Sequence, residues 1–378
     1  MDLFIERDTL SRGLARIQSV IERRSTHPLL SHVLLHARSG SDGNAGGLKV
    51  TATDTEVAFI GDLEANVSKD GQLAVDAASF FQIVRALPET TVQLTLTGNN
   101  RLEIRSGRAL FKLPGHAAEE YPPLPAFDAQ GTMSMKESDL KRLVEQTSFA
   151  VASDDGGMYG LNGAYMEAVE LDGERRLRLV ATDGHRLSSA EAPYEGDAVI
   201  TPRTLVPRKA LTVIRKLLGS STASVEIGFG QNAIRLTQQG QVFWFRMLDA
   251  EFPDYNAVLP KECKHVVLGK RSELASCLKR VMILVADRTQ AVRFKFQPSE
   301  LDIRVHNVDR GESEESVAVS LEGEPIEVGF NAKYLQDILS VLPEDDVRIE
   351  LAHPLAPCLV KNNGHDDAFF VVMPMRLD

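Results

Sequence analysis

The chain has 378 residues, of which 43% are hydrophobic and 25% are charged, an ordinary globular composition with enough apolar mass for two or three cores. Its 42 basic and 53 acidic residues give a formal net charge of −11, which disfavours a protein that coats nucleic acid with its whole surface but permits a local basic groove. The three cysteines show no CxxC or Cys/His spacing, and no apolar run approaches the ~18 residues that span a bilayer. These features predict a cytoplasmic protein without a disulfide framework, zinc site or membrane segment.

Two helix patterns each recur three times along the chain. In the first pattern apolar residues lie four, seven and eleven positions after Leu10, and the pattern starts again at Leu140 and Leu274. The second helix recurs at similar spacing. The predicted helical segments are Leu10–Ile21, Ser79–Leu87, Leu140–Val151, Lys209–Leu217, Leu274–Val285 and Tyr334–Leu342.

Strand patterns recur in the same order as the helices. Each copy has a strand that runs into a polar turn, an alternating strand after the second helix, and an aromatic-rich closing strand, and proline-rich joints follow the first two copies. The polar-turn strands are Leu48–Asp54, Leu177–Asp183 and Leu301–Asn307, and the joints are Tyr121–Pro125 and Phe252–Tyr255. The sequence therefore predicts three tandem, pseudo-equivalent α+β domains at 1–128, 129–260 and 261–378, each with helices on one face of an antiparallel sheet.

The chain lacks the strongest enzymatic motifs, including GxxxxGK[ST], HExxH and GxSxG. The cluster with the most catalytic composition is Asp183-Gly184-His185-Arg186, which follows a strand. Proton transfer needs a second titrating partner, and the sequence shows none. A structural turn with Gly184 at positive φ is therefore favoured over catalysis, and a binding rim is the third interpretation.

Basic residues concentrate on the predicted helices although the chain is acidic overall. Examples are Lys141 and Arg142 on the third helix, and Arg208, Lys209 and Arg215 on the fourth. A single basic pair is typical of a solvated helix face. Repeated on equivalent helices that face one side, such pairs form a continuous positive surface suited to phosphate contact without base reading.

The sequence resembles the bacterial sliding clamps, the β subunits of DNA polymerase III, over essentially its whole length. The motifs that carry the resemblance are Ala181–Leu187, Val206–Lys209, Phe252–Tyr255, Val258–Pro260, Gly329–Asn331 with Tyr334, and Val371–Leu377. The resemblance implies a head-to-tail homodimer whose six domains form a closed ring, with helices lining the hole and sheets outside. It also implies a non-catalytic processivity factor that needs no cofactor or metal. The implied partners are duplex DNA, the polymerase III catalytic subunit, the clamp loader, and other polymerases and repair proteins.

The resemblance further implies three sets of site residues. A pocket for partner peptides between the second and third domains is lined by Leu161, Thr182, Gly184, His185, Arg186, Leu187, Pro253, Val258, Asn331, Tyr334, Leu355, Met373, Pro374, Met375, Arg376 and Leu377. In the pocket, Met and Leu supply an adaptable apolar floor, while His185, Arg186 and Asn331 supply polar groups at the rim. The implied DNA contacts are Arg24, Tyr159, Arg208, Lys209 and Arg215. The implied dimer contacts are Arg105, Arg108, Phe111, Leu113, Ile283 and Leu284.

Two other functions compete with the processivity ring. A non-ring DNA-binding scaffold would use the same basic helices but would dissociate alike from circular and linear DNA. A hydrolase would use Asp183 and His185, and its turnover would be abolished by His185→Ala.

Overall fold

The computed structural model describes residues 1–21, 27–40, 46–124, 126–153, 159–198, 200, 204–285 and 291–377. The chain divides into two compact units. The first unit comprises Met1–Glu137, Glu195–Val199 and Thr212–Met247, and the second comprises Ser138–Tyr194, Ile200–Leu211 and Leu248–Asp378. The middle third of the chain is therefore shared between the two units.

The helices confirm the six predicted segments, with shifted ends. They are α1 (Arg7–Ile17), α2 (Ala77–Ala86), α3 (Glu137–Thr147), α4 (Arg208–Leu217), α5 (Arg271–Val281) and α6 (Ala332–Val341). The patterns overran α1 and α3 because buried apolar residues continue into the turn that follows the helix, and overran α5 because half-buried or exposed apolar residues follow it. Val20, for example, is fully buried beyond the end of α1. Side chains fix some helix starts: Asp76 accepts from the Ser79 N–H at 2.8 Å, and Asn331 accepts from the Lys333 N–H at 3.0 Å.

The strands also recur in three sets. The first set is β1 (Asp2–Glu6), β2 (His32–Arg38), β3 (Gly47–Thr53), β4 (Val57–Glu64), β5 (Asn66–Lys69), β6 (Gly71–Asp76), β7 (Thr91–Thr97), β8 (Arg101–Ser106) and β9 (Ala109–His116). The second set is β10 (Gly131–Lys136), β11 (Gly163–Leu171), β12 (Glu174–Thr182), β13 (Arg186–Pro193), β14 (Glu195–Gly196), β15 (Leu205–Pro207), β16 (Ser224–Phe229), β17 (Ala233–Gln238) and β18 (Gln241–Arg246). The third set is β19 (His265–Lys270), β20 (Ala291–Phe296), β21 (Glu300–Asn307), β22 (Gly311–Glu322), β23 (Ile326–Asn331), β24 (Asp346–Leu351), β25 (Cys358–Asn362) and β26 (Ala368–Val372).

Each unit is built on one continuous antiparallel sheet. The sheet of the first unit has the order β14-β10-β16-β17-β18-β4-β3-β2-β6-β9-β8-β7-β1-β5, and that of the second has the order β15-β11-β12-β13-β26-β25-β24-β19-β22-β21-β20-β23. In each sheet a closing strand crosses to the previous set, since β18 pairs with β4 and β26 pairs with β13. Helices pack on both sheets, α1 against β3 and β4 and α5 against β19 and β22. The predicted α+β class is thus confirmed.

No helix among the described residues has the length and apolar character needed to cross a membrane. The described residues also contain no group of three or more His, Cys, Asp or Glu side chains placed to hold a metal ion.

Candidate functional site

The turn between β12 and β13 is fixed by its own side chains. Thr182 Oγ1 donates to the carbonyl of Arg186 at 2.6 Å, and Asp183 Oδ1 accepts from the N–H groups of His185 and Arg186 at 3.0 and 3.1 Å. Gly184 has a φ of +87°, in the left-handed region that glycine adopts freely. Asp183 therefore serves as a turn former that contacts the backbone of His185, which leaves the hydrolase hypothesis without its acid–base pair.

The side chain of Arg186, a predicted pocket residue, has several partners within the protein. Its side chain is 11% exposed, and its guanidinium donates to Asp183, to Asp337 Oδ2 at 2.7 Å and to the carbonyl of Phe149 at 2.8 Å. The same group lies 4.6 Å from the ring centre of Tyr334 and 5.1 Å from that of Phe149. Arg186 thus ties the turn to α6 and to the 3-10 turn after α3.

A buried apolar cluster lies beneath this turn. It consists of Val180, Leu187, Tyr255 and Val371, each at most 9% exposed. Leu187 and Val371 are direct cross-strand partners on β13 and β26. The pairing of two strands from different sets therefore creates a floor to which both the second and the third set contribute.

Exposed apolar side chains border this floor. Val258 is 38% exposed on the 3-10 turn Tyr255–Val258, whose start is capped by Asp254 accepting from the Asn256 N–H at 3.1 Å. Met373 is 37% exposed directly after β26, where its N–H donates to the carbonyl of His185 at 2.9 Å. Pro253 is also exposed. Apolar surface above an apolar floor is the usual character of a site for apolar peptide anchors.

The residues after Met373 run against β23. Met375 donates its N–H to the carbonyl of Gly329 at 2.8 Å and forms an isolated bridge with it. A Cβ added at Gly329 would lie 2.6 Å from the Met375 carbonyl oxygen and 2.7 Å from Leu377 Cδ2, so only glycine permits this approach. Pro374 and Leu377 are half-buried, whereas Arg376 is exposed.

The remaining predicted pocket residues fall into two groups. Asn331 caps α6, and the half-buried Tyr334 lies beside the turn, with its ring centre 6.3 Å from that of His185. Burial, and then the negative charge of Asp183, raise the pKa of the Tyr334 phenol. Leu161 is buried and Leu355 is 65% exposed between β24 and β25. No contact described here joins these two to the other pocket residues, and their roles stay predictions.

The prediction from sequence missed five residues of this region: Phe149, Val180, Tyr255, Asp337 and Val371. The signals were weak, because Val180 and Val371 sit in continuous apolar runs that look like ordinary core strands. Asp337 lies three residues after Tyr334 on α6, a helical spacing that places both side chains on one face.

Only three of the five predicted DNA contacts have described side chains. Arg208 and Arg215 are exposed on α4, and Lys209 is half-buried. Arg24 and the side chain of Tyr159 lie outside the described residues. Arg142, one of the basic helix residues, pairs with Asp367 at 2.9 Å and donates to the carbonyl of Glu191 at 3.0 Å, so it is committed within the protein.

The predicted dimer contacts lie in two exposed places. Phe111 on β9 is 38% exposed and Leu113 is half-buried, while the neighbouring Arg105 pairs with Glu103 at 2.9 Å. Ile283 is 71% exposed in the 3-10 turn Met282–Leu284. The exposed Arg108 and the half-buried Leu284 complete the two sets.

Comparison with known proteins gives one result throughout. Family models for the N-terminal, central and C-terminal domains of the DNA polymerase III beta subunit match residues 1–125, 134–254 and 256–376. The beta sliding clamp of Caulobacter vibrioides is 33% identical over 379 residues and that of Pseudomonas putida 34% over 380, with both chains covered completely. Crystal structures of the C. crescentus clamp and of a Bartonella birtlesii clamp bound to griselimycin superpose with TM-scores of 0.91 and 0.92, at 33% and 31% identity, over all of each chain.

Proposed function

Because the chain belongs to the family of DNA polymerase III beta subunits, the sliding clamps, we propose that it encircles duplex DNA and holds polymerases there through a peptide pocket. Members of this family are non-catalytic processivity factors, and this chain is one of them. The match of all three domain models, in order and along the chain, carries this conclusion. Tethering replaces repeated bimolecular rebinding with a high effective concentration of polymerase at the primer end.

Two copies join head to tail through β9 of one copy and the third strand set of the other. Residues 109–114 of β9 pair with β8 on one side, and within the described chain their other edge has no strand partner. The first part of β22, 311–318, likewise pairs only with β21 among the described strands. Open strand edges beside the exposed Phe111 and Ile283 suit pairing between two copies.

The dimer is tested by Ile283→Ala combined with Leu284→Ala. We expect folded monomers in sedimentation, because the change removes exposed apolar surface from the interface. The matched control is Leu171→Ala, which truncates another exposed apolar residue, 43% exposed, at the end of β11. If the double variant sediments as a dimer, these residues do not form the interface.

DNA is held by charge without sequence preference. Exposed Arg208 and Arg215 on α4, with Lys209 and Arg24, supply the contacts to phosphates. Neutralising them together should reduce the slope of log affinity against log salt by up to about 0.9 for each true phosphate contact on duplex DNA. An unchanged slope would exclude them from the DNA-facing surface.

The pocket binds short extended segments of the polymerase III catalytic subunit, the clamp loader, and other polymerases and repair proteins. Two or three apolar anchors on the floor formed by Leu187 and Val371 contribute roughly 1.5–3 kcal/mol each when fully buried, less the cost of ordering the peptide. The expected affinity is micromolar, which allows partners to exchange. We propose that griselimycin, which the B. birtlesii clamp binds, occupies this site and can serve as its probe.

The whole function is tested on primed circular DNA with the clamp loader and polymerase III catalytic subunit of the same organism. We expect this chain to lengthen the products, and to remain on nicked circular DNA but slide off when the circle is linearised. A non-ring scaffold predicts equal loss from both forms. Deleting Met375–Asp378 should abolish stimulation of the polymerase while retention on closed circles persists.

A further inference from the structure

The rim turn that carries Val258 is attached to the sheet by Tyr255 and by the flanking residues Phe252 and Leu259, which pack against the same apolar cluster. Among the residues of the 3-10 turn Tyr255–Val258, only Tyr255 is buried. Its ring belongs to the apolar cluster with Leu187 and Val371, while Asn256, Ala257 and Val258 are exposed. Within the turn itself Tyr255 is the anchor, so the position of Val258 depends on how firmly Tyr255 is held.

The Tyr255 hydroxyl is held by two charged groups from neighbouring strands. It donates to Glu167 Oε1 at 2.5 Å and accepts from Arg178 Nη1 at 3.3 Å. Glu167 on β11 and Arg178 on β12 are direct cross-strand partners, and their side chains are 3.6 Å apart. Hydrogen bonds to ionised partners are stronger and more directional than those between neutral groups.

A buried carboxylate fixes the arginine in turn. Arg178 donates through Nε and Nη2 to Glu191 Oε2 at 2.8 and 2.6 Å, and Glu191, with a side chain 5% exposed, also meets Arg176 at 3.2 Å. This row of charges crosses β11, β12 and β13. Because each member has a partner of opposite charge, the row presents its acceptor and donor to Tyr255 at fixed positions.

We propose that Tyr255 is a positioning residue of the peptide pocket, which holds the rim turn at the height at which Val258 and Pro253 can cover a bound apolar side chain. The inference rests on the proposed peptide-binding function. Glu167, Arg178 and Glu191 act on the pocket only through Tyr255. Burial, and next the hydrogen bond to Glu167, raise the pKa of Tyr255 to about 12, so the phenol remains a donor across the physiological range. A rim held in place in the free protein reduces the ordering cost of binding.

The test is Tyr255→Phe, which removes the hydroxyl and keeps the ring in the cluster. We expect griselimycin, measured by calorimetry, to bind about three- to tenfold more weakly, because the rim must then be ordered on binding. Hydrogen exchange should become faster in 252–259 and stay unchanged elsewhere. Retention on nicked circular DNA and the sedimentation of the dimer should not change.

Tyr121→Phe is the matched control. Tyr121 is equally buried in the first proline-rich joint, and its hydroxyl accepts from the Thr53 N–H at 3.2 Å and donates to the carbonyl of His32 at 3.1 Å. Its loss should leave griselimycin affinity unchanged. Equal weakening by both variants would mean a general loss of stability and would overturn the inference.

Variants of Glu167 supply the second line of evidence. Glu167→Gln keeps an oxygen acceptor for Tyr255 and should bind griselimycin within about twofold of wild type, whereas Glu167→Ala should match Tyr255→Phe. Wild-type affinity in Tyr255→Phe would overturn the positioning role and leave the pocket standing. A wild-type chain that binds neither griselimycin nor the polymerase III catalytic subunit would instead overturn the proposed pocket and the inference with it.

Discussion

The chain contains the same turn twice, once at each place where a closing strand pairs with the previous strand set. These two places, where β18 meets β4 and β26 meets β13, are called the first and second joint below. At the first joint Thr53 Oγ1 donates to the carbonyl of Val57 at 3.1 Å, and Asp54 Oδ1 accepts from the N–H groups of Glu56 and Val57 at 2.9 and 2.7 Å. The turn Thr182–Arg186 at the second joint repeats these bonds. The backbone scaffold is therefore shared, and any difference in binding must come from the side chains placed on it.

The two floors differ in how they are filled. At the first joint Trp244 on β18 lies opposite Ala58 on β4, and Leu124 and Phe127 from the joint pack on this pair. At the second joint the corresponding partners are the smaller Val371 and Leu187. Trp244, with Phe127 packed on it, fills the first joint, whereas smaller side chains face each other at the second, where Val258 and Met373 are exposed beside the buried cluster. The second strand pair, with its exposed apolar neighbours, is where we place the proposed peptide site.

The largest effect is expected when the floor residues of the first joint are introduced at the second. Val371→Trp combined with Leu187→Ala places an indole opposite an alanine, as Trp244 and Ala58 already are. We expect griselimycin binding to weaken by at least about a hundredfold, since two apolar anchors lose their place. Calorimetry measures the affinity, and sedimentation checks that the dimer persists.

The converse exchange is the control for that experiment. Trp244→Val with Ala58→Leu changes the same kind of packing in the first joint and should not alter binding at the second. Weakened griselimycin binding in this control would show that packing anywhere in the protein governs affinity, and the comparison of the two floors would fail.

The next largest effect concerns the residue that ends each turn. Val57 is buried and apolar, while Arg186 is bound to Asp183 and Asp337. Arg186→Val should lower the free energy of unfolding by about 2 kcal/mol, because Asp183 loses its salt bridge in a partly buried place and Asp337 is left with Lys333. Urea unfolding measures this loss. Asp337→Asn should cost less than Arg186→Val, and equal costs would contradict the shared role of the arginine.

Alkaline pH should destabilise both joints. Burial is the main cause that raises the pKa of Tyr121 and of Tyr255 to about 12, against 10 for the ordinary phenol. The folded protein holds these protons more tightly than the unfolded chain, so stability is constant below pH 10 and falls as the pH rises towards 12, by an amount on the order of 2 kcal/mol for each phenol. Urea unfolding at pH 9 and pH 11 should show that each Tyr→Phe variant loses less stability than the wild-type protein between these two pH values. An equal loss in wild type and variants would assign the alkaline sensitivity to other groups.

The smallest expected effect on stability concerns the residue with positive φ in each turn. Thr55 has a φ of +79° where the second turn has Gly184 at +87°. Thr55→Gly should stabilise the protein by about 1 kcal/mol, because a β-branched residue is strained in this region, and Gly184→Ala should destabilise it by a similar amount. No atom lies within 4 Å of a Cβ built at Gly184, so the cost there is confined to the backbone. Thermal unfolding of both variants measures these two changes in stability.

The fold was largely predictable because its signals are local and repeated. Helical periodicity and the polar turn after each strand occur in every copy, so each copy supports the others. The pocket was not predictable in the same way. Tyr255 meets Glu167 across 88 residues, and Arg186 meets Asp337 across 151, and nothing in the pattern of a single segment indicates such partners. The partners of Arg186 were not predictable for that reason, since a charged residue after a turn normally faces water.

The two continuous sheets determine how the protein can be dissected. The first unit joins β18 of the second set to β4 of the first, and the second unit joins β26 of the third set to β13 of the second. A fragment that ends at a proline-rich segment would leave one of these strands without its partner, and its unpaired N–H and C=O groups would promote aggregation. The bounds of the two compact units therefore do not coincide with those of the three strand sets, and a soluble single-domain fragment would need its new edge blocked by charge or by proline.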